Sequence, residues 1–219
     1  MTRSTPPIAA ALATATALAL ALTACGSDAK PSEGISGVPT AAPTAAPTTS
    51  SASAPEAGAP TFKLPADVKV KIDGFESTDA TKKAVLRDTS YAITAILEAE
   101  AVASDKQTPN FKRYFTGLHG AEFADTIIKY GKDGMVATGT YGYYKPTVKL
   151  SAGGVASVTY CEDQRKGYAK VIKTGQVKTT TPSLNDFRLW SLTMSKNTAG
   201  DWQVYSYTWT KGATQCRVS

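Results

Sequence analysis

Gly134-Met135-Val136-Ala137-Thr138-Gly139-Thr140-Tyr141-Gly142-Tyr143-Tyr144 (134–144) is the stretch at which the apolar period of this chain changes. Before it, large hydrophobes recur every three to four residues. From Met135 onward, aromatic and β-branched residues alternate with small or polar ones. The first period marks an amphipathic helix and the second a half-buried strand. Helices first and strands after, in one short chain, predict an α+β fold with N-terminal helices packed on a curved antiparallel sheet, and argue against alternating βαβ units.

Working upstream, Val85, Ala92, Ile96, Ala99 and Ala103, widened by Leu86, Ile93 and Leu97, predict a helix over 77–104. Ser77 or Thr78 would cap it, and Asp79 suits its positive end. Phe111, Tyr114, Phe115 and Leu118 predict a second helix between Pro109 and Gly120. Phe123, Ile127 and Tyr130 predict a third that ends before Gly131. All three stripes read as core. Downstream, strands are expected at 135–144, 147–150, 155–162, 168–173, 187–195 and 202–210. Pro146, Gly153-Gly154, Gly167, Gly175, Pro182 and Gly200-Asp201 supply the turns between them.

The N-terminus has a different chemistry. Residues 1–24 carry one charge, Arg3, followed by an uncharged run from Ile8 to Leu22 that is 15 residues long. About 20 apolar residues are needed to span a bilayer, so the run reads as a signal peptide. Leu22-Thr23-Ala24-Cys25-Gly26 resembles the bacterial lipobox, at which a prolipoprotein is acylated on cysteine and cut before it. The resemblance implies that Cys25 is the lipidation site and that the domain is held on the extracytoplasmic face of the cell membrane. The other reading is an ordinary signal peptide that leaves Cys25 as a free thiol. Each buried methylene of an acyl chain contributes about 0.8 kcal/mol, so two or more chains retain a protein without a spanning helix.

From Cys25 to residue 60 the chain is rich in Ala, Pro, Thr and Ser, with Pro-Thr-Ala-Ala-Pro-Thr-Ala-Ala-Pro-Thr at 39–48 and only Ile35 and Val38 as sizeable hydrophobes. Such a segment cannot bury enough surface to offset its chain entropy, and it reads as a disordered tether that could carry O-linked sugars. Residues 61–219 are left for a single α+β domain. That length excludes a multidomain enzyme and a two-lobed solute receptor. The domain holds 22 basic and 15 acidic residues, with no basic run longer than two. A nucleic-acid binder clusters its positive charge, so no nucleic-acid partner is expected.

Export places the domain in an oxidising compartment, where Cys161 and Cys216 are expected to form a disulfide. The alternatives are metal ligation and a reactive thiol. Two sulfurs without a second pair or a nearby histidine make a poor zinc site, and neither metal nor cofactor is expected. His119 is the sole histidine and no Gly-x-Ser-x-Gly elbow accompanies it, so it reads as a loop or capping residue. Glu162 and Asp163 are adjacent on a strand and point to opposite faces. Tyr205, Tyr207 and Trp209 alternate with hydroxyl residues and have the opposite parity to Trp202 and Val204. Core is the usual fate of such rings; on a regular strand, however, they would form an outward aromatic face, a contact surface for a protein partner or a homodimer, unless a bulge shifts the phase.

Three helices followed by a sheet that closes with Gly200-Asp201-Trp202-Gln203-Val204 resemble the nuclear-transport-factor-2-like or cystatin-like cone. Tyr144-Lys145-Pro146-Thr147-Val148, residues 155–163 and Cys216 are similar to a group of actinobacterial lipoproteins. The resemblance implies a pocket inside the cone and, in the enzymes among such folds, an aspartate base, for which Asp163 or Asp125 would serve. The first functional expectation is a membrane-tethered, non-catalytic domain that binds a small apolar ligand or a protein, with no catalytic residue. The second is a small isomerase- or cyclase-type enzyme using a pocket carboxylate and a tyrosine. The third and weakest is a lipid or glycolipid carrier.

Overall fold

The computed structural model describes residues 58–218. The segment expected to be a signal peptide (1–24), Cys25 and the expected tether up to residue 57 lie outside the described residues. The described residues form one compact unit. Its order is β1 (Val68–Ile72), α1 (Ala80–Ala101), α2 (Pro109–Tyr114), α3 (Gly117–Lys132), β2 (Met135–Ser151), β3 (Val155–Val171), β4 (Val177–Lys178), β5 (Phe187–Lys196) and β6 (Trp202–Lys211). The sheet runs β1-β2-β3-β5-β6, with the short β4 paired to β3. This is the expected α+β class, with one difference. β1 precedes the helices and pairs parallel to β2, so the sheet is not wholly antiparallel.

α1 is capped by Asp79, which accepts from the Lys82 backbone N–H at 2.8 Å, and not by Ser77 or Thr78. Its buried stripe of Val85, Ala92, Ile93, Ile96 and Leu97 packs with Phe111, Phe115 and Phe123 of the next two helical segments over Val158, Trp190, Leu192 and Met194 of the sheet. The second and third helices meet at Gly117, so Leu118 falls in the first turn of α3 and is 72% exposed, not core. Gly131 lies within α3, where a Cβ would come within 3.0 Å of the Ala103 backbone.

Two expected breaks in the sheet are bulges within long strands. Lys145 adopts φ 53°, and the register with β3 slips between Tyr144 and Thr147, yet β2 continues to Ser151. Gly167 is no turn: it sits inside β3 opposite Gly139, next to a second slip of register between Thr140 and Gly142. A Cβ there would lie 2.5 Å from the Tyr141 ring, so the glycine exists to let that ring lie flat on the strand.

A third bulge overturns the parity argument for the aromatic strand. Between β5 and β6 the register steps from Thr193 opposite Ser206 to Met194 opposite Val204, which leaves Tyr205 as the extra residue. Beyond it the phase is inverted. Tyr207 pairs with Leu192 and Trp209 with Trp190, on the helix-facing side. Tyr207 packs on Phe123 with ring centroids 4.6 Å apart, while Tyr205 and Trp209 remain 38% and 42% exposed. The three rings therefore do not form one outward face.

On the opposite side of the sheet, Cys161 and Cys216 are joined by a disulfide that holds the C-terminal segment over Phe187 and Ala213. Tyr144 donates its hydroxyl to the Cys216 carbonyl, and Lys145 Nζ donates to that of Gln215 at 3.0 Å.

Replacing Tyr207 by Ser is expected to lower stability by about 2 kcal/mol through loss of a packed ring, whereas Tyr205→Ser should change it by less than about 0.5 kcal/mol. Urea unfolding of both variants checks this, and equal effects would refute the inverted phase. Replacing both Cys161 and Cys216 by Ala should cost about 2–4 kcal/mol, read as a lower midpoint in the same titration.

Candidate functional site

The buried carboxylate of Glu162 projects from β3 to the helix side, as its parity requires, while Asp163 points to the other face. Glu162 accepts from Tyr143 Oη at 3.0 Å, Gln164 Nε2 at 2.7 Å and Trp190 Nε1 at 2.7 Å. Arg188 NH1 lies 3.7 Å from its Oε2. Hydrogen bonds from three strands thus replace the water that burial removes. Arg188 is itself left with a shielded Nε–H that meets no acceptor among the described residues. An unmet buried donor of this kind costs about 1–3 kcal/mol.

Beside this cluster a cleft of about 430 Å³ opens between the C-terminal end of α1, α3 and the paired strands β2 and β3, with β4 and Arg188 at its side. Small residues on the strands, Ala137, Gly167 and Ala169, leave the space; Tyr130, Tyr141 and Tyr168 wall it with rings. Volumes of 300–1,000 Å³ lined this way are typical of small-molecule sites. Two of the tyrosine hydroxyls, those of Tyr141 and Tyr130, are weakened as acids. Tyr141 is shifted upward first by burial and then by the charge of Glu100, and Tyr130 by the same two causes.

Glu100, in the last turn of α1, brings a carboxyl to this cleft and accepts no hydrogen bond among the described residues. It is half-buried as a residue. Loss of water around the carboxyl, and after that the negative charge of Glu162, raise its pKa to about 7 against the opposing pull of Arg188. It therefore changes charge near neutrality, which an exposed glutamate does not.

The aspartates expected from the resemblance are elsewhere. Asp163 is held by Arg165, with Nε and NH2 at 3.1 and 2.9 Å from Oδ2, and Asp125 is exposed on α3; neither lines the cleft. Their places in the sequence put both on outward positions. His119 is exposed, 3.8 Å from Glu122 and edge-on to Tyr207. Among the described residues no group of three His, Cys, Asp or Glu side chains is placed to hold a metal. Sequence reasoning passed over Glu100, although Ile96-Leu97-Glu98-Ala99-Glu100-Ala101-Val102 carried a signal: two acids in an otherwise apolar turn. Glu98 is used structurally, accepting from the Lys63 backbone at 2.7 Å and Asn110 Nδ2 at 2.8 Å, which leaves Glu100 for the cleft.

No family model matches this chain. No curated protein matches it either. Among solved structures it is similar to the intermembrane space region of the chloroplast protein ARC6, with 13% identity over 62% of this chain and 99% of that one and a TM-score of 0.41. It is also similar to a ketosteroid isomerase-like protein from Erwinia carotovora atroseptica, with 15% identity over 61% and 97% of the two chains and a TM-score of 0.43.

The shifted carboxyl has a stability signature. From about pH 4.5 to 7 the folded chain keeps a proton on Glu100 that the unfolded chain has lost, so stability falls as pH rises through that window and then levels off. Glu100→Gln removes the loss. It should be more stable than the parent by about 1–3 kcal/mol above pH 7, with the gap shrinking toward pH 4.5. Chemical denaturation at pH 5 and pH 8 checks this, and a gap that does not change with pH would contradict the assignment.

Proposed function

We propose that this chain is a lipid-anchored, extracytoplasmic domain that binds a small molecule in the cleft beside Glu162. The observation that carries the binding part is the cleft itself: a walled space beside a packed core, with one carboxyl and one guanidinium N–H left without partners. Cores pack closely and satisfy most of their buried polar groups, so an open walled space bordered by such groups favours a ligand. The anchor rests on the lipobox resemblance at Cys25, and the 35-residue stretch that follows it would let the domain stand away from the bilayer.

A second reading is favoured by one observation. A carboxyl with a pKa of about 7 facing tyrosine rings is suited to move a proton to and from a bound substrate, as an isomerase-type enzyme requires. Binding is preferred over turnover because Tyr141 and Tyr130 are both shifted away from acidity and the second carboxylate, Glu162, is fully occupied by its donors.

Two measurements test the proposal. Metabolic labelling with a fatty-acid analogue should mark the wild-type protein and not Cys25→Ala, and label persisting in the variant would refute the anchor. Native mass spectrometry of the purified protein should reveal a co-purifying small molecule that Thr126→Trp, at the rim of the cleft on α3, displaces. A ligand retained by that variant would place the binding site elsewhere.

A further inference from the structure

The charges around the cleft restrict what it accepts, an argument that rests on the cleft being the binding site. Arg188 on β5 and Lys178 on β4 bring two positive charges, and Glu162, behind Gln164 on β3, brings one negative charge already engaged by Arg188. The remaining ionisable groups that face Glu100 are the hydroxyls of Tyr130 on α3, Tyr141 and Tyr143 on β2 and Tyr168 on β3. Tyr130, Tyr141 and Tyr143 are all held in their neutral form by burial. Whether the cleft is neutral or positive is therefore decided at Glu100. Two donors border it: the guanidinium of Arg188, whose shielded Nε–H meets no acceptor among the described residues, and the O–H that Glu100 carries when protonated.

We infer that the ligand is a small amphipathic acid, its carboxylate received by Arg188 and the protonated carboxyl of Glu100 and its apolar body lying on Ile127, Ala137, Ala169 and the tyrosine rings. A carboxylate accepts from both donors at once, and its charge is balanced by the positive charge left when Glu100 is neutral. An amine would meet two cations, and a neutral alcohol could accept from both donors but would leave the positive charge unbalanced. No bond is made or broken. One proton is retained between the Glu100 carboxyl and the ligand carboxylate. Above the pH at which Glu100 ionises, that proton must be taken from solution when the ligand binds.

The test is calorimetric titration of the purified full chain with 4-phenylbutyrate, 4-phenylbutanol and 4-phenylbutylamine, which share a body and differ in the head. The acid is expected to bind at least about tenfold more tightly than the other two at pH 6. Its affinity should hold level below pH 7 and fall by about tenfold per pH unit above it, with proton uptake approaching one per ligand in buffers of different ionisation enthalpy. Glu100→Gln should bind the acid with no pH dependence, because the amide donates at every pH. Arg188→Gln should weaken the acid selectively if it folds, and the Glu100→Gln profile decides the matter if it does not. Tighter binding of the alcohol or the amine, displaced by Thr126→Trp, would overturn the acid as ligand class and leave the cleft as the site. Binding of none of the three, or binding indifferent to Thr126→Trp, would overturn the cleft reading as well.

Discussion

A carboxylate cannot be taken out of water without several donors to replace it, and in this domain that requirement falls on Glu162. Its position on β3 places it under the helices, where Tyr143 of β2, Gln164 of β3 and Trp190 of β5 all reach it. Three strands are thus fixed against one another by a polar contact inside an otherwise apolar layer. The same charge acts outward through low-dielectric surroundings and is the second cause that keeps Glu100 protonated into the neutral range. Fold and site are therefore not separable here. The group that sets the relation of the central strands also sets the electrical state of the cleft they enclose.

The three bulges are what make this arrangement possible. A sheet of regular 17-residue strands would be two long flat ribbons; instead β2 and β3 slip register twice along their shared length. One slip, between Thr140 and Gly142, brings Tyr141 over Gly167 and leaves Gly139, Gly167 and Ala169 as a thin strip on the helix side. The Tyr141 ring takes the place that a Gly167 side chain would occupy and forms one wall of the cleft.

The helical layer was legible because its signal is redundant: many apolar side chains at the same spacing all give the same answer, and α1 fell within the expected span. The strand character of β2, β3, β5 and β6 was legible for the same reason, though β2 and β3 were each expected as two strands and β1 and β4 were not expected, and the pairing of Cys161 with Cys216 followed from their number and the expected compartment. Strand phase was not legible. It depends at each bulge on a single extra residue, and Tyr205 has nothing in its own chemistry that separates it from Tyr207, yet one lies at the bulge and the other on the core side. Glu100 was missed for another reason. Its importance arises from what surrounds it in space, Glu162 from β3 and Arg188 from β5, and a carboxyl near the end of an amphipathic helix is ordinarily a solvated one. β1 was passed over although Val68-Lys69-Val70-Lys71-Ile72 alternates strictly: it is only five residues long and stands apart from the other strands, ahead of the helices.

The Cys161–Cys216 bond also changes what kind of object the chain is. It closes a covalent ring that begins in the middle of β3, passes through β4, β5 and β6, and returns to β3. Residues 172–185, all exposed, are the stretch most open to an outside protease, and they lie within this ring. A cut there opens a circle and separates nothing: β5 and β6 stay attached to β3 through sulfur, and the ladder on either side of the cut keeps its partners. Wherever a protease meets these exposed residues, this connectivity confines the damage of a first cleavage to one strand break.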